Sequence, residues 1–210
     1  KEYWKKLIDK YWFLTDDILD SKIYYPLEGY LYPDTYRFKN QDVSVEEIFN
    51  KLLDEMDKVL SNYKDDITKS KYSVHELLTI ASIAEKEVNN AKDRKKVVSV
   101  FLNRLNRKMS LGSDVTTRYS IKLDTMRALT KKEYATVNAY NTRSQTMAGK
   151  LPASAIAMVS KSSIEASLYP EETEYLYFIS NIKTDETFFF KYSSDFEKKQ
   201  QELANVNNGY

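Results

Sequence analysis

The chain has 210 residues, of which 42% are hydrophobic and 13% aromatic, enough to bury the core of one medium-sized domain with a small appendage. Its 32 basic and 31 acidic side chains leave a net charge of +1, which argues against a nucleic-acid-binding protein, because such proteins carry a basic face. The absence of cysteine and the single histidine exclude thiol nucleophiles, disulfides and multi-histidine metal sites.

Apolar side chains recur at helical spacing at the start of the chain, which predicts an amphipathic helix over residues 2–14. They are Trp4, Leu7, Ile8, Tyr11 and Trp12. Aromatic residues on one stripe are usually buried, so we expect this stripe to face a core. Residues 21–40 contain Pro26, Gly29 and Pro33, which interrupt helices, so this segment is predicted to be extended or looped.

A capping box formed by Ser44 and Glu47 predicts a second helix that runs to about Leu60. Its inward-facing residues at helical spacing are Ile48, Leu52, Met56 and Val59. Residues 61–72 are polar and are predicted to be a solvated linker to the next helix.

The next helix is predicted over Ser73–Val88, because Ser73 and Glu76 form another capping box. Its apolar stripe comprises Leu77, Ile80, Ala81, Ala84 and Val88. At 100° per residue, Ser82 and Lys86 point away from this stripe and are predicted to face water.

Two carboxyl groups lie near the end of this helix. Glu87 projects between Ile80 and Ile83, inside the apolar sector, whereas Glu85 lies at the opposite margin of that sector. A carboxyl in an apolar setting is desolvated, which favours its protonated form at neutral pH, as a general acid requires. The alternative is a solvated Glu-Lys-Glu at a helix end. His75 precedes Glu87 by roughly 18 Å of helix and is interpreted as structural.

Another helix is predicted over residues 91–108. Its inward-facing residues are Val97, Val98, Phe101, Leu102 and Leu105. Its basic residues are Arg94, Lys95, Lys96, Arg104, Arg107 and Lys108, interpreted as a solvated outer face. Attraction of this face to anionic wall polymers or lipid head groups is a second possibility.

The remaining segments predict short elements. Residues 111–119 are expected to form a loop or turn, and Thr130 and Glu133 to open a short helix. Ser162 and Glu165 are expected to open a helix that ends before residue 170. The β-prone runs 175–179 and 187–192 predict a hairpin, followed by a polar helix that begins near residue 194.

In its motifs, the chain resembles the endolytic murein transglycosylase family, the MltG or YceG-like proteins. Over roughly residues 25–192, the matching motifs occur in the family's order. They are Leu27–Tyr36, Ala81–Glu87, Val100–Leu105, Leu111–Asp114 with Thr116, Tyr140–Thr142, Leu151–Pro152 and Tyr175–Phe178. The resemblance implies cleavage of peptidoglycan glycan strands by a single essential Glu beside a membrane anchor.

The resemblance also implies the site residues. Glu87 is expected to be catalytic, with Glu85 as the second candidate or a supporting partner. The substrate-binding candidates are Ser113, Asp114, Thr116, Tyr140, Asn141 and Thr142. Small hydroxyls beside a carboxylate suit sugar hydroxyls and acetamido groups, and a tyrosine beside an asparagine can stack on a pyranose and bond its edge.

Three departures from the family pattern concern the substrate cleft. Val115 replaces a proline, which places the rigidity of that loop in doubt, and Arg143 replaces an aromatic residue. Lys150 is inserted between Gly149 and Leu151.

The segment around Glu28, within the first motif, could line the cleft or brace the catalytic helix, and we favour bracing.

We therefore expect an α+β protein, with a mainly helical catalytic domain and a small hairpin over residues 71–210 and an N-terminal helical and linker region over residues 1–70. Upstream LysM-like and membrane-anchor parts are implied only by the resemblance. So are a location on the outer face of the bacterial cell membrane and cell-wall synthases as partners. We expect no metal or cofactor.

The expected reaction is that of a lytic transglycosylase. Glu87 would protonate the β-1,4 bond between N-acetylmuramic acid and N-acetylglucosamine, and the muramoyl 6-hydroxyl would form a 1,6-anhydro end. Two alternatives remain open: a hydrolase in which Asp114 is the second carboxylate, and a glycan-binding or scaffold protein without turnover.

Overall fold

The computed structural model describes residues 2–39, 41–125 and 127–207, which are mainly helical and include one antiparallel pair of strands. The helices are α1 (Glu2–Lys10), α2 (Val45–Ser61), α3 (Lys64–Lys69), α4 (Val74–Glu87), α5 (Ala91–Asn106), α6 (Asp114–Ser120), α7 (Lys131–Tyr134), α8 (Lys161–Leu168) and α9 (Ser193–Asn207), and the strands are β1 (Tyr177–Asn181) and β2 (Glu186–Phe190). This architecture confirms the predicted α+β class. No helix within these ranges has the length and apolar character needed to cross a membrane.

Helix α4 is the central element of the fold. Its predicted capping box is confirmed, because Ser73 Oγ accepts from the Glu76 backbone N–H and the Glu76 carboxylate accepts from the Ser73 N–H. Every residue from Leu77 to Ala84 is buried. The prediction that Ser82 faces water is therefore wrong: its hydroxyl accepts from the Ile156 N–H at 3.0 Å.

Two hydrophobic clusters meet along α4, and the helix contributes to both. The first contains Leu7, Phe13, Tyr30, Leu53, Met56, Leu60, Leu77, Leu78, Ala81 and Ile164, among others. The second contains Ile80, Ile83, Ala84, Val97, Val98, Phe101, Leu111, Tyr140 and Ile156, among others. Because the first cluster joins residues from both sides of position 70, it packs the N-terminal region against α4. The predicted domain boundary at that position stays a prediction.

The segment between α1 and α2 braces α4, as we favoured from the sequence. Leu27 and Tyr30 are buried in the first cluster, and the Tyr30 hydroxyl hydrogen-bonds His75 Nδ1 at 2.8 Å. The other ring nitrogen of His75 lies 2.8 Å from the carbonyl oxygen of Ala153. Both nitrogens are thus engaged by protein groups, in agreement with a structural role for this histidine.

Helix α1 ends at Lys10, earlier than predicted. Tyr11, Phe13 and Leu14 are all buried, and three such residues within four positions cannot share one helical stripe. Leaving the helix lets each of them reach the core.

The buried face of α2 is rotated by one position from the predicted one, because Leu53 and Leu60 are buried whereas the predicted Leu52 and Val59 are only partly covered.

The predicted solvated linker contains α3, whose Ile67 is buried in the first cluster. Helix α8 begins two residues earlier than predicted, because its N-cap is Ser160, whose hydroxyl accepts from the Ser163 N–H, and not Ser162. The hairpin is confirmed, with Tyr177 opposite Phe190 and Asn181 opposite Glu186. Helix α9 packs on it through a stacked pair of aromatic rings, Tyr177 and Phe196, whose centroids are 5.4 Å apart.

We predict that Gly29→Ala destabilises the fold by about 2–4 kcal/mol, lowering Tm by roughly 5–10 °C in calorimetry. Gly29 has φ of +84°, and an added Cβ would lie 2.3 Å from Ala155 Cβ. Combining it with Ala155→Gly removes this overlap, so the double variant should be more stable than the sum of the two single effects predicts. Simple additivity would contradict the overlap argument.

Candidate active site

Glu87 is the last residue of α4 and lines a cleft of about 650 Å³. The loop before α6 and the start of that helix form one wall of the cleft, and the hairpin and α9 form the other. Glu87 also lines a smaller adjoining cavity of about 190 Å³ beside Asn89 and Asn90. Its side chain is only partly covered, so the carboxyl group opens into space that a substrate can enter.

The environment of Glu87 raises its pKa to about 7. Burial against the cleft wall is the largest cause, since it penalises the ionised form. A hydrogen bond from Ser113 lowers the pKa, the negative charge of Asp114 raises it, and the charges of Arg143 and Arg104 lower it. Around neutral pH, a substantial fraction of Glu87 therefore carries a proton.

Ser113 holds one oxygen of this carboxyl group. Its hydroxyl donates to Glu87 Oε1 at 2.5 Å. With Oε1 engaged as an acceptor, the acidic proton is left to Oε2. The Ser113 backbone N–H in turn donates to Thr142 Oγ1 at 3.1 Å, and that oxygen lies 2.7 Å from Thr116 Oγ1. Thr116 and Thr142 are fully buried, so they position Ser113 and have no surface for a sugar to contact.

Glu85 has the opposite environment. Burial raises its pKa, but hydrogen bonds from Ser160 and Ser163 and the charge of Arg94 outweigh burial and lower it. Arg94 Nη2 lies 3.0 Å from Glu85 Oε1, and the Ser160 and Ser163 hydroxyls donate to Oε2 at 2.6 Å each. Glu85 is thus an ionised anchor that joins α4, α5 and α8, and this geometry does not suit an acid catalyst.

Asp114 lies at the first position of α6, where a loop or turn was predicted. It forms an ion pair with Arg143 and accepts from the Tyr134 hydroxyl at 3.3 Å. Val115, which replaces the family's proline, occupies the first turn of this helix. Because proline and other residues are both accommodated in a first helical turn, the substitution does not remove the structural support of Asp114.

Tyr140 and Asn141 do not reach the cleft surface. Both are fully buried, which disagrees with the prediction that they stack on and bond a sugar. The Tyr140 hydroxyl hydrogen-bonds Ser154 at 2.7 Å, and Asn141 Oδ1 accepts from Thr117 at 2.7 Å. These residues therefore support the wall of the cleft and the start of α6.

Two arginines of α5 lie in other surroundings than the sequence predicts. Arg94 and Arg104 were placed on a solvated basic face of α5, but Arg94 is buried against Glu85 and Arg104 lines the cleft. Arg104 Nε donates to the Leu176 carbonyl at 2.6 Å, and Nη1 donates to the Leu111 carbonyl at 2.7 Å. The one signal in the sequence for the position of Arg104 in the cleft is that it lies within the Val100–Leu105 family motif.

The position of Arg104 could not be predicted further, because the carbonyl groups that accept its hydrogen bonds lie far along the chain or in an irregular loop. The cleft wall contributed by Tyr177, Phe178 and Phe196 was also missed, because it depends on how the hairpin and α9 dock. In the ranges the structure describes, no group of three or more histidine, aspartate or glutamate side chains is arranged to hold a metal ion.

Comparison with known proteins places these features in context. A family model described as the YceG-like family matches residues 3–203. The endolytic murein transglycosylase of Bacillus subtilis (strain 168) is 37% identical over 195 residues, which cover 93% of this chain and 53% of that protein. The endolytic murein transglycosylase of Streptococcus pneumoniae serotype 2 is 33% identical over 195 residues, covering 90% of this chain and 34% of that protein.

A similar structure has also been solved. The 2.6 Å crystal structure of a YceG-like protein from Listeria monocytogenes has a TM-score of 0.87 and 40% sequence identity, covering 94% of this chain and 63% of that one. The chain thus spans about half the length of the Bacillus relative and about a third of the Streptococcus relative.

We predict that the two glutamates respond oppositely to conversion to glutamine. Below about pH 4.5, Glu87 is protonated in both folded and unfolded chains, so Glu87→Gln should change stability little. As the pH rises from about 4.5 to about 7, the wild type loses stability, because the unfolded chain ionises this carboxyl group before the folded chain does. At pH 8, Glu87→Gln should therefore be more stable by up to about 3 kcal/mol.

Glu85→Gln is the matched control. The pKa of Glu85 is lowered on folding, so its contribution is present above about pH 4.5 and is lost as the pH falls through its folded pKa. At pH 8 this variant should lose about 2–4 kcal/mol, because Arg94 is left buried without its partner. Denaturant unfolding at pH 4 and pH 8 measures both. Destabilisation by Glu87→Gln at pH 8 would contradict the assigned environments.

Proposed function

Because the chain belongs to the YceG-like family, we propose that it cleaves peptidoglycan glycan strands as an endolytic lytic transglycosylase, with Glu87 as the general acid and then the general base. The observation that carries this proposal is a carboxyl group with a pKa of about 7 that opens into a cleft. A group with that pKa can both give and take a proton near neutral pH.

The reaction begins with proton transfer from Glu87 Oε2 to the glycosidic oxygen between N-acetylmuramic acid and N-acetylglucosamine. The bond from the anomeric carbon to that oxygen breaks, and the N-acetylglucosamine leaves with a 4-hydroxyl. The muramoyl 6-hydroxyl oxygen attacks the anomeric carbon and gives its proton to the Glu87 carboxylate. The products are a 1,6-anhydromuramoyl end and a regenerated acid, and no water is consumed.

The surroundings of Glu87 suit both halves of this cycle. Partial burial keeps the acid protonated before transfer. After transfer, the Ser113 hydroxyl donates to the new carboxylate, and the positive charges of Arg104 and Arg143 favour it. One carboxyl group suffices because the attacking oxygen belongs to the substrate, whereas hydrolysis ordinarily uses two.

A two-carboxylate hydrolase is the second candidate, and Asp114 is the observation that favours it. Its charge raises the pKa of Glu87, so the two groups are close enough to influence each other, and both line the same cleft. Against this role, Asp114 is held in an ion pair with Arg143 and bonded by Tyr134. A nucleophile or base would have to leave those partners. Glycan binding without turnover is the third possibility.

We also propose that the protein works at the outer face of the bacterial cell membrane, beside the synthases that make new strands. This location follows from the substrate, since glycan strands are assembled there. It rests on the proposed reaction.

The products distinguish the three candidates. We predict that purified strands incubated with the protein in heavy-oxygen water gain 1,6-anhydromuramoyl ends, one water lighter than hydrolytic ends and free of the label, as measured by mass spectrometry. Glu87→Gln should lower the rate at least about 100-fold. Glu172→Gln, an exposed glutamate outside the cleft, is the matched control and should keep the wild-type rate. Labelled reducing ends would indicate the hydrolase, and binding without new ends would indicate the scaffold.

A further inference from the structure

The cleft contains two guanidinium groups whose hydrogen-bonding capacity is not filled. Arg104 donates through Nε and Nη1 to backbone carbonyls, and Arg143 donates through Nε to Asp114. Among the residues that the structure describes, Nη2 of Arg104 and both Nη atoms of Arg143 have no hydrogen-bond acceptor. Each guanidinium therefore offers N–H groups on the wall of the cleft that Glu87 lines.

The positive charge of Arg104 is also uncompensated. It is partly buried, and no carboxylate of the described residues forms an ion pair with it. Burying a charge is costly unless it is paired, and carbonyl groups supply only dipoles. The carboxyl group whose charge acts on Arg104 is that of Glu87, which has no charge while it holds its proton. With Asp114 balancing Arg143, the cleft carries about one excess positive charge before reaction.

The position of Arg104 is built into the fold. Its side chain lies against Gly112, where an added Cβ would be 2.9 Å from Nη1, and Gly112 has φ of +68°. The guanidinium also lies over the ring of Tyr177, with its central carbon 5.1 Å from the ring centroid. A half-buried arginine packed against both residues is preorganised, so binding an anion would not require its side chain to be ordered first.

We propose that Arg104 and Arg143 form an anion subsite beside Glu87, which binds a carboxylate of the peptides carried by the muramoyl sugars of the strand. This inference rests on the proposed function, because the strand is taken to occupy the same cleft. Guanidinium groups bind carboxylates through paired N–H donors, which suits this partner. The enzyme would then prefer strands whose peptides keep free carboxylates over strands from which those charges are removed.

The test compares two synthetic muramoyl oligosaccharides that differ only in whether the peptide carboxylates are free or amidated. Binding is measured by calorimetry in the Glu87→Gln background, which prevents turnover. We expect the free-carboxylate ligand to bind about tenfold more tightly at low salt, with the difference shrinking as salt is added. Arg143→Gln should reduce the difference to twofold or less, and Arg104→Lys should reduce it too.

Arg107→Gln is the matched control, because Arg107 is an exposed arginine just beyond the same helix and outside the cleft. It should keep the full preference. Equal affinity for the two ligands would overturn the subsite, as would no binding of either ligand. An equal loss of affinity for both ligands in Arg143→Gln would also overturn it, since that result indicates a structural role.

The same ligands separate this inference from the proposed reaction. If the wild type cleaves both oligosaccharides to anhydro ends but binds them equally, the subsite is wrong and the reaction stands. If the wild type cleaves neither ligand, while the charge preference and its loss in Arg143→Gln are both observed, the reaction is wrong and the subsite stands.

Discussion

The site depends on a helix whose middle turns, Leu77 to Ala84, are buried on every side and whose last residue carries a carboxyl group. Because residues Leu77 to Ala84 of α4 lie between two hydrophobic clusters, the last turn of the helix cannot tilt or rotate without breaking both. Glu87 is thus fixed where the packed interior meets the cleft. That position keeps the carboxyl group partly desolvated and still accessible to a ligand.

Two glutamates two residues apart have opposite roles because a helix turns about 200° between them. The hydrogen-bond donors and positive charge around Glu85 keep it ionised and tie together α4, α5 and α8. Glu87 has one strong donor, Ser113, and otherwise faces the cleft. The ionised Glu85 thus stabilises the end of α4 from which Glu87 projects into the cleft. The environment of Glu85 would not suit a general acid, because it keeps a carboxyl group ionised.

Local signals in the sequence predicted much of the fold and the desolvated environment of Glu87. The capping boxes at Ser73 and Thr130 and the hairpin depend on residues near one another in the chain, and the structure confirms them. Arg94 and Arg104 could not be assigned from the sequence, because the groups that hold them lie up to 72 residues away. The burial of Tyr140 was also missed. A residue within a family motif can support a site from beneath its surface without contacting the ligand.

The most direct test of this account is the pKa of Glu87, measured by carboxyl carbon NMR, with Glu87→Gln used to assign the signal. We expect Glu87 to titrate near pH 7 and Glu85 to titrate below its ordinary value in the same sample. Because the two residues belong to one helix turn, Glu85 is an internal reference for solution conditions. A Glu87 signal titrating near pH 4.5 or below would contradict the account, because the group would then be fully ionised at neutral pH and could not serve as the acid.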